Sequence, residues 1–207
     1  MPKQRLEAFS DGVFAIVITL LILDVRIPPT GGGSFGALLL ILPQLAAFVL
    51  SFVIVGVYWV AHHMMLHFVR AVDRPLLWAN LLLLLTVVLI PVPTAWLGQH
   101  LASPAAITAY GASLSCTNAA GCLVWRLGTR RHGAEAGRLE GYVRFVTWVH
   151  AAPILVYAAG AALAFAAPYA SLLLYAAVPT FFILPNRVLD TRLRAAMAAD
   201  AAPAHGP

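Results

Sequence analysis

Apolar residues fall in six long stretches, each bounded by charged residues, glycine or proline. A helix crosses the hydrocarbon core of a bilayer in about 20 residues. The pattern therefore predicts an all-α polytopic membrane protein with six transmembrane helices. The predicted spans cover residues 8–26, 36–62, 75–98, 103–126, 142–166 and 169–186. Residues 1–194 would form one transmembrane domain, and residues 195–207 are predicted to be a flexible tail.

Basic residues lie almost entirely on alternate sides of these spans. If the N-terminus is cytoplasmic, the extracellular loops hold only Arg26 among the 13 lysines and arginines. Short cytoplasmic loops of membrane proteins carry an excess of basic residues, so we expect both termini to be cytoplasmic. The twelve residues on that side are Lys3, Arg5, Arg70, Arg74, Arg126, Arg130, Arg131, Arg138, Arg144, Arg187, Arg192 and Arg194.

Composition agrees with a lipid environment, because 61% of the residues are hydrophobic and only 10% are charged. A soluble domain carries about 25% charged residues. The net charge of +5 does not indicate nucleic-acid binding, since the charges lie between apolar stretches instead of clustering on one face. The two cysteines, Cys116 and Cys122, are expected to be free thiols. No cofactor or metal motif is present in the sequence.

The first predicted helix has two specialised faces. At about 100° per residue, Ile16, Leu20 and Leu23 lie within roughly 60° of one another. Phe9 and Gly12 share this aliphatic stripe, and Thr19 lies at its edge. Such stripes usually pack against lipid or a neighbouring helix, so periodicity alone does not assign the stripe to a pore.

A polar patch, Ser10 and Asp11, points about 120° or more away from the stripe. A carboxylate inside a membrane must be paired or hydrogen-bonded. Its candidate partners lie at a similar membrane depth on the next two predicted helices. They are Trp59, His62, His63 and Asn80.

Residues 5–97 carry an ordered set of motifs. They are Arg5, Phe9-Ser10-Asp11, Ala15-Ile16, Thr19-Leu20-Leu21, Leu23-Asp24, Tyr58-Trp59, His62-His63, Asp73-Arg74, Asn80 and Pro91-Val92-Pro93-Thr94. In order and spacing this set resembles the TMEM175 family of potassium channels, in its bacterial form. Val92 stands where a phenylalanine is expected in that family, and the last three helices match only in number and length.

The resemblance implies a potassium-permeable channel in the plasma (inner) membrane of a bacterium, assembled as a homotetramer without the usual Thr-Val-Gly-Tyr-Gly filter. The first helix of each subunit would line the pore, with an aliphatic constriction and a selectivity ring of Thr19 hydroxyls. The implied constriction is Ile16, Leu20 and Leu23. The implied structural network is Arg5, Phe9, Ser10, Asp11, Trp59, His62, His63 and Asn80.

Three alternatives remain open at this point. Asp11 with His62, His63 and His150 could form the proton relay of a secondary transporter. His63 and His67 could share a metal, although an interfacial pair is the more common role. Because no catalytic motif accompanies them, we do not expect the chain to be an enzyme. Asp24 could attract cations to an outer mouth or pair with Arg26.

Two further features have ordinary interpretations. Trp96, Trp125 and Trp148 lie near predicted helix ends, as the residues of an aromatic belt do. The arginines at positions 126, 130 and 131 determine topology and could also touch anionic lipid headgroups.

Overall fold

The computed structural model describes residues 2–27, 35–69, 71–130, 136–183 and 191. Within these ranges the regular secondary structure is helical. The predicted tail at 195–207, the end of the sixth predicted span at 184–186 and the glycine-rich segment at 30–34 lie outside the described residues. The helices are α1 (Lys3–Leu20, continued by a 3-10 segment at Leu21–Asp24), α2 (Phe35–His67), α3 (Arg74–Leu89), α4 (Pro91–Gln99), α5 (Pro104–Thr129), α6 (Ala136–Leu163) and α7 (Pro168–Ile183).

The third predicted span is divided into α3 and α4 at Ile90. Pro91 and Pro93 have no backbone N–H, so two helical hydrogen bonds are lost there. The backbone adjusts locally, because Ile90 N–H donates to the carbonyl of Val87 at 3.1 Å. The Thr94 hydroxyl donates to the Ile90 carbonyl at 2.8 Å. The two prolines therefore account for the break between α3 and α4.

Capping residues define where two helices begin. The Asp73 carboxylate accepts from Leu76 N–H at 3.0 Å, and Pro75 occupies the first turn of α3. Ser103 and Pro104 take the same roles at the start of α5. An acceptor side chain at the N-cap and proline in the first turn are both preferred there.

The centre of the bundle is α5, which contacts α2, α3, α4, α6 and α7. Twelve of its 26 residues are buried. Many are small or polar, such as Gly111, Thr117 and Asn118, which permits close helix approach and hydrogen bonds between helices. Its surface is therefore largely covered by protein instead of lipid.

Tyr175 of α7 packs into a gap left by two glycines. A Cβ at Gly111 of α5 or at Gly160 of α6 would overlap the Tyr175 side chain. The Tyr175 hydroxyl donates to the Ile107 carbonyl at 3.3 Å. These three helices are close because the glycines have no side chain. Gly121 differs, since a Cβ there would meet nothing within 4 Å.

Four described stretches are long and apolar enough to cross a membrane: Lys3–Asp24, Leu38–His67, Arg74–Gln99 and Val146–Leu163. The helix at Pro168–Ile183 is apolar but shorter, and α5 is not among the four. A helix enclosed by other helices does not need a fully apolar surface, which accounts for the composition of α5.

Candidate functional site

The two faces of α1 are separated in the fold. Leu6, Ser10, Phe14, Val17 and Leu21 are buried against the rest of the subunit, where α1 contacts α2 and α3. The aliphatic stripe lies on the opposite side, with Ile16 59%, Leu20 41% and Leu23 65% exposed. Phe9 is 53% exposed, and a Cβ at Gly12 would meet nothing within 4 Å. One subunit therefore leaves the whole stripe uncovered.

Thr19 is exposed at the edge of this stripe. Its hydroxyl donates to the carbonyl of Ile16 at 2.8 Å, with the Ala15 carbonyl at 3.2 Å. The hydroxyl proton is thus directed at the helix backbone. Because a hydroxyl also has two acceptor lone pairs, the Thr19 oxygen can offer electron density to a cation beside the stripe.

A buried hydrogen-bond chain connects α1, α2 and α3. Asn80 Nδ2 donates to Ser10 Oγ at 3.0 Å, and Ser10 Oγ donates to the Leu6 carbonyl at 2.9 Å. His62 Nε2 lies 2.8 Å from Asn80 Oδ1. Ser10 and Asn80 are fully buried, and His62 is 1% exposed.

The Leu6 carbonyl at the end of this hydrogen-bond chain determines which group donates in each bond. A backbone carbonyl can only accept, so Ser10 donates to it and receives its own hydrogen bond from Asn80. The Asn80 carbonyl oxygen then faces His62, and His62 must carry its proton on Nε2. His62 Nδ1 is buried and has no hydrogen-bond partner among the described residues. The Phe14 ring packs against His62 at a centroid distance of 5.5 Å.

Asp11 has a different partner from Ser10. Trp59 Nε1 donates to Asp11 Oδ1 at 2.9 Å, and the His63 ring lies 6.3 Å from the Trp59 ring. Asp11 is half-buried, while Trp59 and His63 are exposed. Of the four partners expected for Asp11, the structure therefore places only Trp59 in a hydrogen bond with it. Asn80 bonds to Ser10 instead, and His62 bonds to Asn80.

Arg5 lies apart from this group. Its side chain is exposed, and no ion pair or side-chain hydrogen bond joins Arg5 to another residue of the described ranges. The Glu7 carboxylate lies 3.7 Å from Lys3 Nζ. The structure therefore does not join the Arg5 side chain to the network in which the resemblance placed it, and the acid one turn after Lys3 pairs with Lys3 instead.

Asp24 ends the 3-10 segment beside Leu23. Within the described ranges, no ion pair joins it to Arg26. The Arg26 backbone N–H instead donates to Gln44 Oε1 of α2 at 2.9 Å. Pairing with Arg26, one of the two roles considered for Asp24, is therefore not seen in the described part of the structure.

The histidines do not assemble into a relay. His150 Nδ1 donates to the Val146 carbonyl at 2.8 Å, and its ring stacks on Trp125 at 6.2 Å with an interplanar angle of 2°. No hydrogen bond joins it to His62, His63 or Asp11 in the part of the chain that the structure describes. The described residues also contain no group of three His, Cys, Asp or Glu side chains placed to hold a metal.

Two buried polar clusters were not predicted from the sequence. Ser51 Oγ lies 2.9 Å from Thr94 Oγ1 and 2.8 Å from the Tyr110 hydroxyl. Asn118 Nδ2 donates to the Tyr58 hydroxyl at 2.7 Å. The sequence does show these polar side chains inside apolar stretches. Their partners lie on other helices, however, and the spacing of residues along one helix does not identify a partner on another.

Comparison with known proteins places these features in a family. The model of the endosomal/lysosomal potassium channel TMEM175 family matches residues 5–91, which include all but the first two residues of α1 and the whole buried hydrogen-bond chain from Ser10 to Asn80 and His62. A potassium channel of Chryseobacterium sp. (strain P1-3) is 33% identical over 195 residues, which are 94% of this chain and 99% of that protein. The chain belongs to the TMEM175 family.

Two further relatives agree with this family assignment. A potassium channel of Streptomyces collinus is 50% identical over 99 residues, 47% of this chain and 48% of that protein. The crystal structure of a lysosomal potassium-selective channel TMEM175 homologue from Chamaesiphon minutus has a TM-score of 0.78 at 31% identity, and the match covers 88% of this chain and 96% of that one. The family resemblance predicted from the sequence is confirmed. TMEM175 proteins are channels, so the prediction that the chain is not an enzyme is confirmed as well.

Proposed function

We propose that this TMEM175 protein is a potassium-permeable cation channel whose pore is lined by α1. The observation that carries the proposal is the exposed stripe of Ile16, Leu20 and Leu23 on a helix whose other face is buried. Relatives that match most of the chain are described as potassium channels, which supports potassium as the permeant ion.

One helix cannot enclose a pore, so several subunits must bring their stripes together. We propose a homotetramer, the assembly that the TMEM175 resemblance implies. Four copies of the stripe would form rings of aliphatic side chains, and such rings gate by excluding water when they are narrow. Six spans with both termini in the cytoplasm of a bacterial cell complete the proposed arrangement.

Selectivity in this pore is assigned to Thr19. A ring of hydroxyl oxygens replaces part of the hydration shell of an ion without the strong trap that a carboxylate ring would form. Because the Thr19 proton is held by the backbone of the preceding turn, its oxygen presents lone pairs and no competing donor.

The buried chain from His62 to Ser10 would hold the pore helix at a fixed rotation. Its hydrogen bonds join α1 to α3 and α3 to α2, and a rotation of α1 about its axis would break the bond from Asn80 to Ser10. Trp59 and Asp11 add a second link between α1 and α2 at a similar depth.

Potassium flux into liposomes that contain the purified protein tests this proposal. Leu23→Ala widens the constriction, and Ile22→Ala is its matched control, since Ile22 is also exposed but points about 120° away from the stripe. We expect a passive potassium flux that rises with Leu23→Ala and is unchanged by Ile22→Ala. Transport that requires a proton gradient, with no passive flux, would contradict the channel and favour the transporter alternative.

A further inference from the structure

A second candidate site lies away from the pore helix. An open-sided cavity of about 520 Å³ is lined by residues of α2, α5, α6 and α7, and most of its lining is apolar. Its α2 wall extends from Val53 to Phe68, about 22 Å at a rise of 1.5 Å per residue. The volume is therefore an elongated slot that follows a helix, and it covers most of the ~30 Å thickness of a bilayer core.

A few polar side chains interrupt the apolar lining of the slot, and basic residues lie near one of its ends. Tyr58, Asn118 and His150 contribute to its lining. At the end marked by Phe68 and Trp125, the neighbouring turns of α5 and α6 carry the exposed arginines 126, 130 and 144. No ion pair is formed by these three within the described ranges, so their charge is available to a ligand.

We propose that this cavity binds one acyl chain of an anionic phospholipid, with the phosphate held by Arg126 and Arg144. The argument combines shape with charge. An elongated apolar slot buries a hydrocarbon chain, which gains about 0.8 kcal/mol per methylene when the chain leaves water, although a chain arriving from lipid gains less. Specificity therefore comes from the arginines, since basic pockets between membrane helices bind anionic headgroups. This site does not depend on the proposed conduction.

A cavity-filling pair of variants tests the acyl-chain part of the proposal. Gly56 lines the cavity, and a Cβ there would meet nothing within 4 Å, so the side chain of Gly56→Leu begins in open space and occupies part of the slot. Gly121→Leu is the control, because Gly121 has the same open space but does not line the cavity. Ala61→Leu, at another lining position, serves if Gly56→Leu does not fold.

The measurement is native mass spectrometry of the protein in a neutral detergent, titrated with phosphatidylglycerol or phosphatidylcholine. We expect a saturable phosphatidylglycerol adduct that is weaker in Gly56→Leu, by up to about tenfold if roughly two methylenes are displaced, and unchanged in Gly121→Leu. Arg126→Gln with Arg144→Gln should abolish the preference for phosphatidylglycerol.

Three results would overturn the proposal. Equal binding of both lipids to the wild type would remove the anionic recognition. Loss of the adduct in the arginine variant with full binding in both Gly56→Leu and Ala61→Leu would show a lipid held at the protein surface only. Absence of any adduct on the wild type would indicate that another occupant, such as a second copy of the chain, fills the slot.

Discussion

The buried chain from His62 through Asn80 to Ser10 makes a strong prediction about stability. Asn80→Leu preserves the approximate size of the side chain but removes both the acceptor for His62 and the donor to Ser10. Ser10 keeps its hydrogen bond to the Leu6 carbonyl. His62 is 1% exposed, and its Nδ1 has no partner in the described structure. The substitution therefore leaves the His62 imidazole ring without a hydrogen bond.

The expected cost can be estimated from that difference. An orphaned buried donor costs about 1–3 kcal/mol, whereas a single hydrogen bond between membrane helices contributes about 0.6 kcal/mol on average and up to about 1.7. We therefore expect Asn80→Leu to lower the free energy of unfolding by about 2 kcal/mol. Ser10→Ala orphans only one hydrogen of the Asn80 amide, and should cost about 1 kcal/mol. The double variant should cost less than the sum, because both changes act on one network.

Thermal unfolding in detergent, followed by size-exclusion chromatography of the heated sample, measures these effects. A cost of about 2 kcal/mol corresponds to a fall in Tm of roughly 4–8 °C for a chain of this size. Thr86→Val is the control on the same helix, since the Thr86 hydroxyl donates only to the Leu83 carbonyl of its own turn. A Tm of Asn80→Leu equal to that of Thr86→Val would refute the reasoning.

Two more predictions concern packing and selectivity. Gly160→Ala should destabilise the fold by about 1–3 kcal/mol through overpacking against Tyr175. Gly121→Ala should leave stability unchanged or raise it by up to about 1 kcal/mol. Urea or thermal unfolding of both variants measures the difference, and equal effects would contradict the close contact between Gly160 and Tyr175. Thr19→Val should lower the potassium-to-sodium permeability ratio, and Thr19→Ser should retain it. The ratio is measured from fluxes under opposed ion gradients. An unchanged ratio in Thr19→Val would show that the Thr19 hydroxyl does not contribute to selectivity.

The faces of α1 were predictable because helical periodicity needs no knowledge of other helices. The 100° spacing placed Ser10 away from Ile16, Leu20 and Leu23, and the structure buries Ser10 and exposes those three residues. A rotation of the whole helix would have moved both sets together, so their angular separation could be predicted without knowing the neighbouring helices.

The partners of polar residues were predicted less well. Asp11 was expected to need the buried donors, but Ser10 receives them, because it is Ser10 that faces α3 in the packed bundle. The choice between adjacent residues depends on the rotation of α2 and α3 about their own axes. Spacing along one helix contains no information about that rotation.

Trp125 shows the same limit. A tryptophan near the end of a span is typical of an aromatic belt, yet Trp125 is only 2% exposed. Its Nε1 donates to Thr147 at 3.1 Å, and its ring stacks on His150. The belt interpretation is wrong at this position because α6 covers the face of α5 on which Trp125 lies, and the sequence does not show which face a neighbouring helix covers.

The claim that the stripe of α1 lines the pore is tested most directly by blocking the pore at one residue. Cys116, which is exposed, and Cys122 are both free and would first be replaced by serine. Leu20→Cys and Ile22→Cys would then be compared in liposomes by adding a membrane-impermeant, water-soluble thiol reagent during potassium flux. The account predicts that the reagent stops flux through Leu20→Cys and leaves Ile22→Cys conducting. Flux that persists through Leu20→Cys, with labelling only by lipid-soluble reagents, would place the stripe against lipid and contradict the account.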